Sequence, residues 1–107
     1  MVRHRLHQTI TLGRFNDGLK WARDMNEVAR KNGWVESRLM TPGYGAFNQL
    51  ILETEYPDHA SLQKEVEAFY TNTEAMAAFR RGTELVAPGT HPWDELEEEV
   101  PQELELA

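Results

Sequence analysis

The order in which two hydrophobic periodicities follow one another constrains the fold more than any other feature of the chain. Residues 2–12 alternate between apolar and polar side chains, which is typical of a strand with one buried face. Residues 14–32 carry apolar side chains at helical spacing, and Gly33 follows as a helix terminator. The first third of the chain is therefore predicted to be a strand followed by a helix.

Turn-forming residues in the middle of the chain predict a β-hairpin. The segment 41–45, Thr-Pro-Gly-Tyr-Gly, separates two runs that are rich in strand-compatible residues, 34–40 and 47–56. Proline and glycine favour a tight reversal of the backbone at this place. We expect the two runs to pair as the second and third strands.

The second half of the chain predicts two helical segments and a last strand. A helix over 59–70 has Asp58 as a suitable N-cap, and helical spacing resumes after Asn72 until Pro88 ends it. Spacing alone fits residues 91–100 to either a helix or a strand. We favour a strand, because the strand, helix, strand, strand order that precedes it requires a fourth strand to complete the sheet.

These elements predict the α+β class, with a ferredoxin-like βαββαβ order and helices on one face of an antiparallel sheet. Residues 1–100 would form one domain, and residues 101–107 an acidic, disordered tail. A chain of 107 residues buries only a modest core, so a partner that covers the other sheet face would stabilise it. A second copy of the chain is the simplest such partner.

The net charge of −7 comes from the end of the chain, because residues 94–107 hold seven acidic residues and no basic one. The rest is neutral and has no basic stripe, which argues against nucleic acid as a partner. We interpret the acidic end as a solvating segment. No apolar run approaches a membrane span, no secretory signal is visible and cysteine is absent, so a cytoplasmic location is expected.

Four short stretches stand out beside the order of elements: Arg3-His4-Arg5-Leu6, Gly13-Arg14-Phe15, Tyr44-Gly45-Ala46-Phe47-Asn48 and Pro88-Gly89-Thr90. Together with that order they resemble the dimeric α/β-barrel superfamily, in particular small NIPSNAP-type and antibiotic-biosynthesis-monooxygenase-type proteins. The resemblance implies that two sheets face one another across a homodimer. It also implies a pocket inside the barrel or between each sheet and its helices.

Members of the superfamily include cofactor-free oxygenases of aromatic compounds and haem-degrading enzymes. The haem-degrading members place an iron-ligating histidine on the late helix, whereas residues 74–85 contain none and Phe79 stands near the expected place. Haem degradation is therefore disfavoured, and no cofactor is expected. The oxygenase-type members use an Asn, a Trp and sometimes a Tyr near the pocket, which makes Asn48, Trp93 and Tyr44 candidates by resemblance.

Charged side chains on the more polar face of the first strand form a second group of candidates. In a ferredoxin-like sheet the third strand lies beside the first, so Arg5 and His7 would neighbour Glu53, with Arg38 farther along. The structural interpretation, which we favour, is charge pairing across a dimer interface. In the functional interpretation Arg5 binds an anionic group while His7 or Glu53 exchanges a proton.

The candidate catalytic residues are thus His7, Asn48 and Trp93, and the candidate ligand-binding residues are Arg5, Arg38, Tyr44 and Glu53. The four histidines lack ligand spacing, so no metal is expected. Our main hypothesis is a homodimer that binds or oxidises a small apolar or aromatic molecule without a cofactor. The alternative is a structural or regulatory dimer without catalysis, and a monomer with a hydrated polar sheet face would also fit. The aromatic and methionine side chains of the helices fit an ordinary core first, with a pocket lining as the alternative that spacing does not separate from it; they are Phe15, Trp21, Met25, Phe69, Tyr70, Met76 and Phe79.

Overall fold

A computed structural model describes residues 1–45 and 47–103 of the chain. The elements are β1 (Val2–Thr9), α1 (Phe15–Lys31), β2 (Arg38–Met40), β3 (Gln49–Tyr56), α2 (His59–Tyr70), α3 (Thr73–Thr83) and β4 (Trp93–Glu98). The strands form one sheet in the order β2-β3-β1-β4, and every neighbouring pair is antiparallel. The predicted ferredoxin-like α+β fold is confirmed, and so is the choice of a strand for the last element.

Local signals set the ends of the helices. The Asp58 carboxylate accepts a hydrogen bond of 2.7 Å from the Ser61 backbone N–H, which confirms Asp58 as the N-cap of α2. The Asn72 side chain accepts one of 2.9 Å from the Ala75 N–H and thereby begins α3. The residue after the C-cap of α1 is Gly33, whose φ of 71° lies in the left-handed region that glycine adopts without strain.

The first strand is shorter than predicted. Regular pairing ends at Thr9, and Ile10 makes only an isolated bridge to Val86. The chain then turns, with the Arg14 N–H donating to the Thr11 carbonyl at 3.0 Å, so Leu12 is 84% exposed instead of lying on the buried face. The predicted alternation was therefore correct up to Ile10 and wrong at Leu12.

The second strand is also shorter than the predicted run 34–40. Two backbone N–H groups in the first part of this run donate hydrogen bonds to helix side chains instead of to a neighbouring strand. The Val35 N–H donates to the Glu65 carboxylate at 2.8 Å, and the Ser37 N–H donates to the Asn26 side-chain oxygen at 2.7 Å. Regular pairing with β3 is consequently limited to Arg38–Met40.

Helices α1 and α3 pack against the face of the sheet that carries the core. The main core cluster consists of Ile10, Trp21, Ala22, Leu50, Leu52 and Leu85. Trp21 lies against α3, where its Nε1–H donates to the Ala78 carbonyl at 2.9 Å. A second cluster, made of Val28, Ala75 and Ala78, also joins α1 to α3. Helix α2 contacts β3 and α3, and the space described below lies between the sheet and helices α1 and α2.

Residues 104–107, which make up most of the predicted disordered tail 101–107, lie outside the described part of the chain. Ala46 also lies outside it. None of the described helices is long and apolar enough to cross a membrane.

Candidate functional site

Strand β1 contributes side chains to two different surfaces, because successive residues of a strand point to opposite faces. His4, Leu6 and Gln8 face the helices, as the bond of 2.9 Å from Gln8 Nε2 to the Gly82 carbonyl shows. Arg5 and His7 belong to the other face, which we call the open face because no described element covers it. The two faces are considered in turn.

Glu53 is the centre of the ion pairs on the open face. Its carboxylate lies 2.9 Å from Arg5, 2.9 Å from Arg38 and 3.7 Å from Arg3, and Glu53 is only 8% exposed. Burial by itself would raise the pKa of Glu53, but the hydrogen bond from Arg5 and the charges of Arg38 and Arg3 outweigh it. The resulting pKa is below the usual value for a glutamate.

The acidic end of the chain takes part in the same network. Glu97 on β4 pairs with Arg5, and Glu55 on β3 pairs with Arg38 at 2.5 Å and with Arg3 at 3.3 Å. Glu95 contacts His7. Part of the acidic end is therefore bound to the sheet, whereas we interpreted it from the sequence as a solvating segment.

His7 is buried within the open face, with 6% of its surface exposed. Its Nε2 contacts the Glu95 carboxylate, and its Nδ1 lies 3.5 Å from the Gln49 side-chain oxygen. The Trp93 ring stacks on the imidazole at a centroid distance of 3.7 Å and an interplanar angle of 3°. The imidazole is therefore covered on one face by an indole and bound at its edge to a carboxylate.

Five of the seven predicted site residues are thus brought together on the open face: Arg5, His7, Arg38, Glu53 and Trp93. Their polar atoms are occupied mainly by one another and by Glu55, Glu95 and Glu97. Tyr44 and Asn48 lie elsewhere, in a recess of about 360 Å³ beside Phe15. Tyr44 is fully exposed there, and the Asn48 carbonyl accepts a hydrogen bond of 2.8 Å from the Ile10 N–H. The catalytic and binding roles of these seven residues stay predictions.

A larger cavity of about 480 Å³ lies on the other face, between the sheet and helices α1 and α2. Its lining is mainly apolar, and the apolar side chains include Leu6, Met25, Val28, Trp34, Leu52, Leu62, Val66, Phe69, Phe79 and Leu96. Met25, Phe69 and Phe79 were among the residues that helical spacing could not assign to core or pocket. They line the cavity, whereas Trp21 belongs to the main core cluster and Phe15 packs against that cluster.

Some polar residues around the cavity have structural roles. The Asn26 amide donates to the Ser37 carbonyl at 2.9 Å and accepts from the Ser37 N–H, so both ends of this side chain are used in holding the segment before β2. The Ser37 and Thr54 hydroxyls lie 2.8 Å apart and bond to each other. These three residues give the cavity little free hydrogen-bonding capacity.

His4 and Asp94 form a pair in the wall of the cavity. His4 Nε2 lies 2.9 Å from Asp94 Oδ1. Because an ionised carboxylate only accepts hydrogen bonds, the proton of a neutral His4 is on Nε2, and the free lone pair is then on Nδ1. Over residues 1–45 and 47–103 no partner bonds to Nδ1. The sequence analysis gave His4 no function.

Glu65 and Tyr56 form the second polar group of the cavity. One Glu65 oxygen, Oε1, accepts the Val35 N–H, whereas Oε2 is buried and has no hydrogen-bond partner in the described part of the chain. Burial raises the pKa of the Tyr56 hydroxyl, and the negative charge of Glu65 and a hydrogen bond from the hydroxyl to the Glu65 side chain raise it further. Tyr56 therefore remains protonated at neutral pH and can donate a hydrogen bond.

Comparison with solved structures identifies the fold. A NIPSNAP domain protein from Burkholderia xenovorans superposes with a TM-score of 0.76 at 16% identity, covering 98% of this chain and 100% of that protein. A NIPSNAP family protein from Agrobacterium tumefaciens gives 0.73 at 14% identity, covering 94% of each chain. An antibiotic biosynthesis monooxygenase gives 0.70 at 15% identity, covering 94% of this chain and 100% of the other.

The chain has the NIPSNAP and antibiotic-biosynthesis-monooxygenase fold. This confirms, at the level of the fold, the resemblance seen in the sequence. No family model matches the sequence, and no curated protein matches it significantly. Because fold does not determine function, residue roles within this NIPSNAP-like chain must be argued from its own geometry. In the described residues no group of three or more His, Asp or Glu side chains is arranged to hold a metal ion.

Proposed function

We propose that the protein binds a small, largely apolar organic molecule in the cavity between the sheet and the helices, and that His4 removes a proton from it. The observation that carries this proposal is a cavity of about 480 Å³ with a mainly apolar lining and the His4–Asp94 pair in its wall. Ligand pockets typically have volumes of roughly 300–1,000 Å³ and combine an apolar lining with a few polar groups. The cavity has both properties.

The His4–Asp94 pair has the geometry of a general base. Asp94 holds the proton of a neutral His4 on Nε2, which leaves the Nδ1 lone pair to accept a proton from a hydroxyl or an acidic C–H of the ligand. The negative charge of Asp94 then stabilises the imidazolium that forms. When the imidazolium then returns the proton to a different carbon of the ligand, the two transfers together amount to an isomerisation.

The same step could also begin a cofactor-free oxygenation. Deprotonation of a phenol-like ligand gives an electron-rich anion, and dioxygen can accept electrons from such an anion directly. The name of one structural neighbour, an antibiotic biosynthesis monooxygenase, is consistent with this chemistry. The proposal therefore includes oxygen as a co-substrate to be tested.

The open face supports a homodimer as the functional unit. It is a four-stranded surface that no described element covers, and on it Arg3, Arg5 and Arg38 alternate with glutamates. Two such faces could pair with little net repulsion, and the sheets would then enclose a barrel. Homodimer formation is part of the proposal.

A non-catalytic dimer is the second candidate function. The observation that favours it is that the open-face polar groups bind one another and cover His7, as expected of an interface and not of a hydrated pocket. In that case the cavity would be a packing defect. It would show no affinity for small molecules.

Filling the cavity distinguishes the two candidates. Val66 lines the cavity on α2, whereas Gln63 lies on the exposed side of the same helix, so Val66→Phe and Gln63→Phe form a matched pair. We expect 1-naphthol to bind the wild type and Gln63→Phe equally, and Val66→Phe at least about ten-fold more weakly, by isothermal titration calorimetry. Equal binding to all three proteins would contradict a ligand site in this cavity.

Proton removal is tested separately. We expect the wild type, in the presence of 1-naphthol, to consume oxygen or to exchange carbon-bound ring protons of the ligand with deuterated water, and His4→Gln to bind the ligand but lose this activity. If the wild type binds 1-naphthol and neither reaction is detected, the binding proposal stands and the base role of His4 is wrong.

A further inference from the structure

The buried carboxylate oxygen of Glu65 is the unusual feature of the cavity. Oε1 is satisfied by the Val35 N–H at 2.8 Å, but Oε2 is buried without a partner in the described part of the chain. Leaving an ionised acceptor without a hydrogen bond is unfavourable, because the group has lost its water and gained nothing in exchange. A ligand group that donates a hydrogen bond to Oε2 would remove this cost.

The charges around the cavity favour the same kind of ligand. Two carboxylates, those of Glu65 and Asp94, occur among its lining residues, and no lysine or arginine does in the residues described. Opposite charges attract more strongly in a desolvated site than in water, which applies to the buried Oε2 of Glu65 and not to Asp94, whose side chain is 65% exposed. The cavity therefore favours a cationic or neutral donor and disfavours an anion.

The two polar groups are close enough to act on one molecule. His4 on β1 pairs with Thr54 on β3, and Tyr56 is two residues farther along β3 on the same face. Diagonal neighbours on adjacent antiparallel strands are about 7–8 Å apart. Glu65 lies near Tyr56, because its charge raises the pKa of the Tyr56 hydroxyl. A bicyclic aromatic molecule can therefore span the distance from the His4 side of the cavity to the Glu65 side.

We propose that Glu65 determines the ligand class of the cavity: an apolar, ring-containing molecule with a hydrogen-bond donor, most favourably a protonated amine, which donates to Glu65 Oε2. This inference rests on the proposed function, since it concerns the same cavity. Glu65 acts by binding and orienting the molecule, and His4 is then positioned to act on its other end.

A matched ligand series tests the proposal. The probes are 1-naphthylmethylamine, 1-naphthalenemethanol, 1-ethylnaphthalene and the carboxylate 1-naphthaleneacetate. They share one ring system and differ only in the group attached to its CH₂. Glu65→Gln keeps the size of the side chain and an oxygen for the Val35 N–H, but replaces Oε2 with a donating NH₂. Glu67→Gln, on the exposed surface of the same helix, is the control for loss of one negative charge.

We expect the wild type to bind the amine at least about ten-fold more tightly than 1-ethylnaphthalene, and the acetate most weakly. In Glu65→Gln the advantage of the amine should fall to within about three-fold, and the acetate should bind more tightly than to the wild type. Glu67→Gln should retain the wild-type ranking. Ligand-detected NMR titration measures all four affinities, and circular dichroism confirms that each variant is folded.

The possible failures are distinguishable. If Val66→Phe abolishes binding of the probes but Glu65→Gln leaves their ranking unchanged, the cavity is a ligand site and the role of Glu65 is wrong. If the wild type binds the acetate as tightly as the amine, the proposal is overturned without any variant. If no probe binds the wild type, the proposed function fails and the inference fails with it.

Discussion

Replacing Gly82 by alanine tests how closely α1 packs against α3. Gly82 lies in α3 opposite Trp21, a residue of the main core cluster that is 4% exposed. A Cβ built on Gly82 would lie 2.3 Å from Cε2 of the indole and 2.5 Å from its Cζ2. Carbon atoms in contact are normally about 3.5–4.0 Å apart, so the ring would have to move by more than about 1 Å.

Several opposing effects set the size of the change. Overpacking a core costs about 1–3 kcal/mol, and displacing the ring would weaken the Trp21 Nε1–H bond to the Ala78 carbonyl, which contributes about 1 kcal/mol. Alanine gains up to about 1 kcal/mol over glycine in a helix. We therefore expect Gly82→Ala to lower the free energy of unfolding by about 2 kcal/mol. For a domain of this size the melting temperature should fall by roughly 10 °C.

Gly18→Ala is the matched control for this experiment. Gly18 is also a buried helical glycine, but the atoms nearest to a Cβ there all belong to the Ile10 side chain, the first at 3.1 Å. A shift of a few tenths of an ångström would relieve that contact, so a small change in either direction is expected. Urea unfolding followed by circular dichroism measures both variants. An unchanged or raised stability of Gly82→Ala would refute the packing argument.

Two further predictions concern the sheet. Because the pKa of Glu53 is lowered in the folded state, its stabilising effect is present above the unfolded value near 4.5 and is lost as the pH falls toward the folded value. The difference in unfolding free energy between the wild type and Glu53→Gln should therefore shrink below pH 4.5. A difference that stays constant in urea unfolding between pH 6 and pH 3 would contradict the lowered pKa of Glu53. Leu50→Asp should unfold the domain, since Leu50 is 1% exposed and an unpaired buried carboxylate costs several kcal/mol. A thermal unfolding curve like that of the wild type would contradict the burial of Leu50 in β3.

Features that depend on neighbouring residues in the sequence could be predicted. Asp58 and Asn72 cap helices because each side chain accepts a hydrogen bond from the backbone N–H three residues later, a relationship that the sequence shows directly. The pairing of Arg5 with Glu53 followed from the antiparallel arrangement of the first and third strands. The last strand was predictable from topology, although spacing alone left it open.

The cavity could not be predicted, because core and lining residues have the same spacing on a helix. Trp21 and Met25 lie one turn apart on α1, yet Trp21 is a buried member of the core cluster whereas Met25 packs against that cluster and also lines the cavity. Glu65 resembled an ordinary exposed acid. Its burial depends on how α2 meets the segment before β2, where it accepts the Val35 N–H, and this is a contact between residues thirty positions apart.

The alternation of side chains along β1 makes the two surfaces genetically separable. His4 belongs to the cavity and His7 to the open face, so a substitution at one position can alter ligand chemistry while leaving the other surface intact. Insertions and deletions act differently: loss of one residue from β1 would exchange the two sets of side chains, directing the arginines into the apolar layer. Evolution can therefore adjust either surface by substitution, but the length of this strand is not free to change.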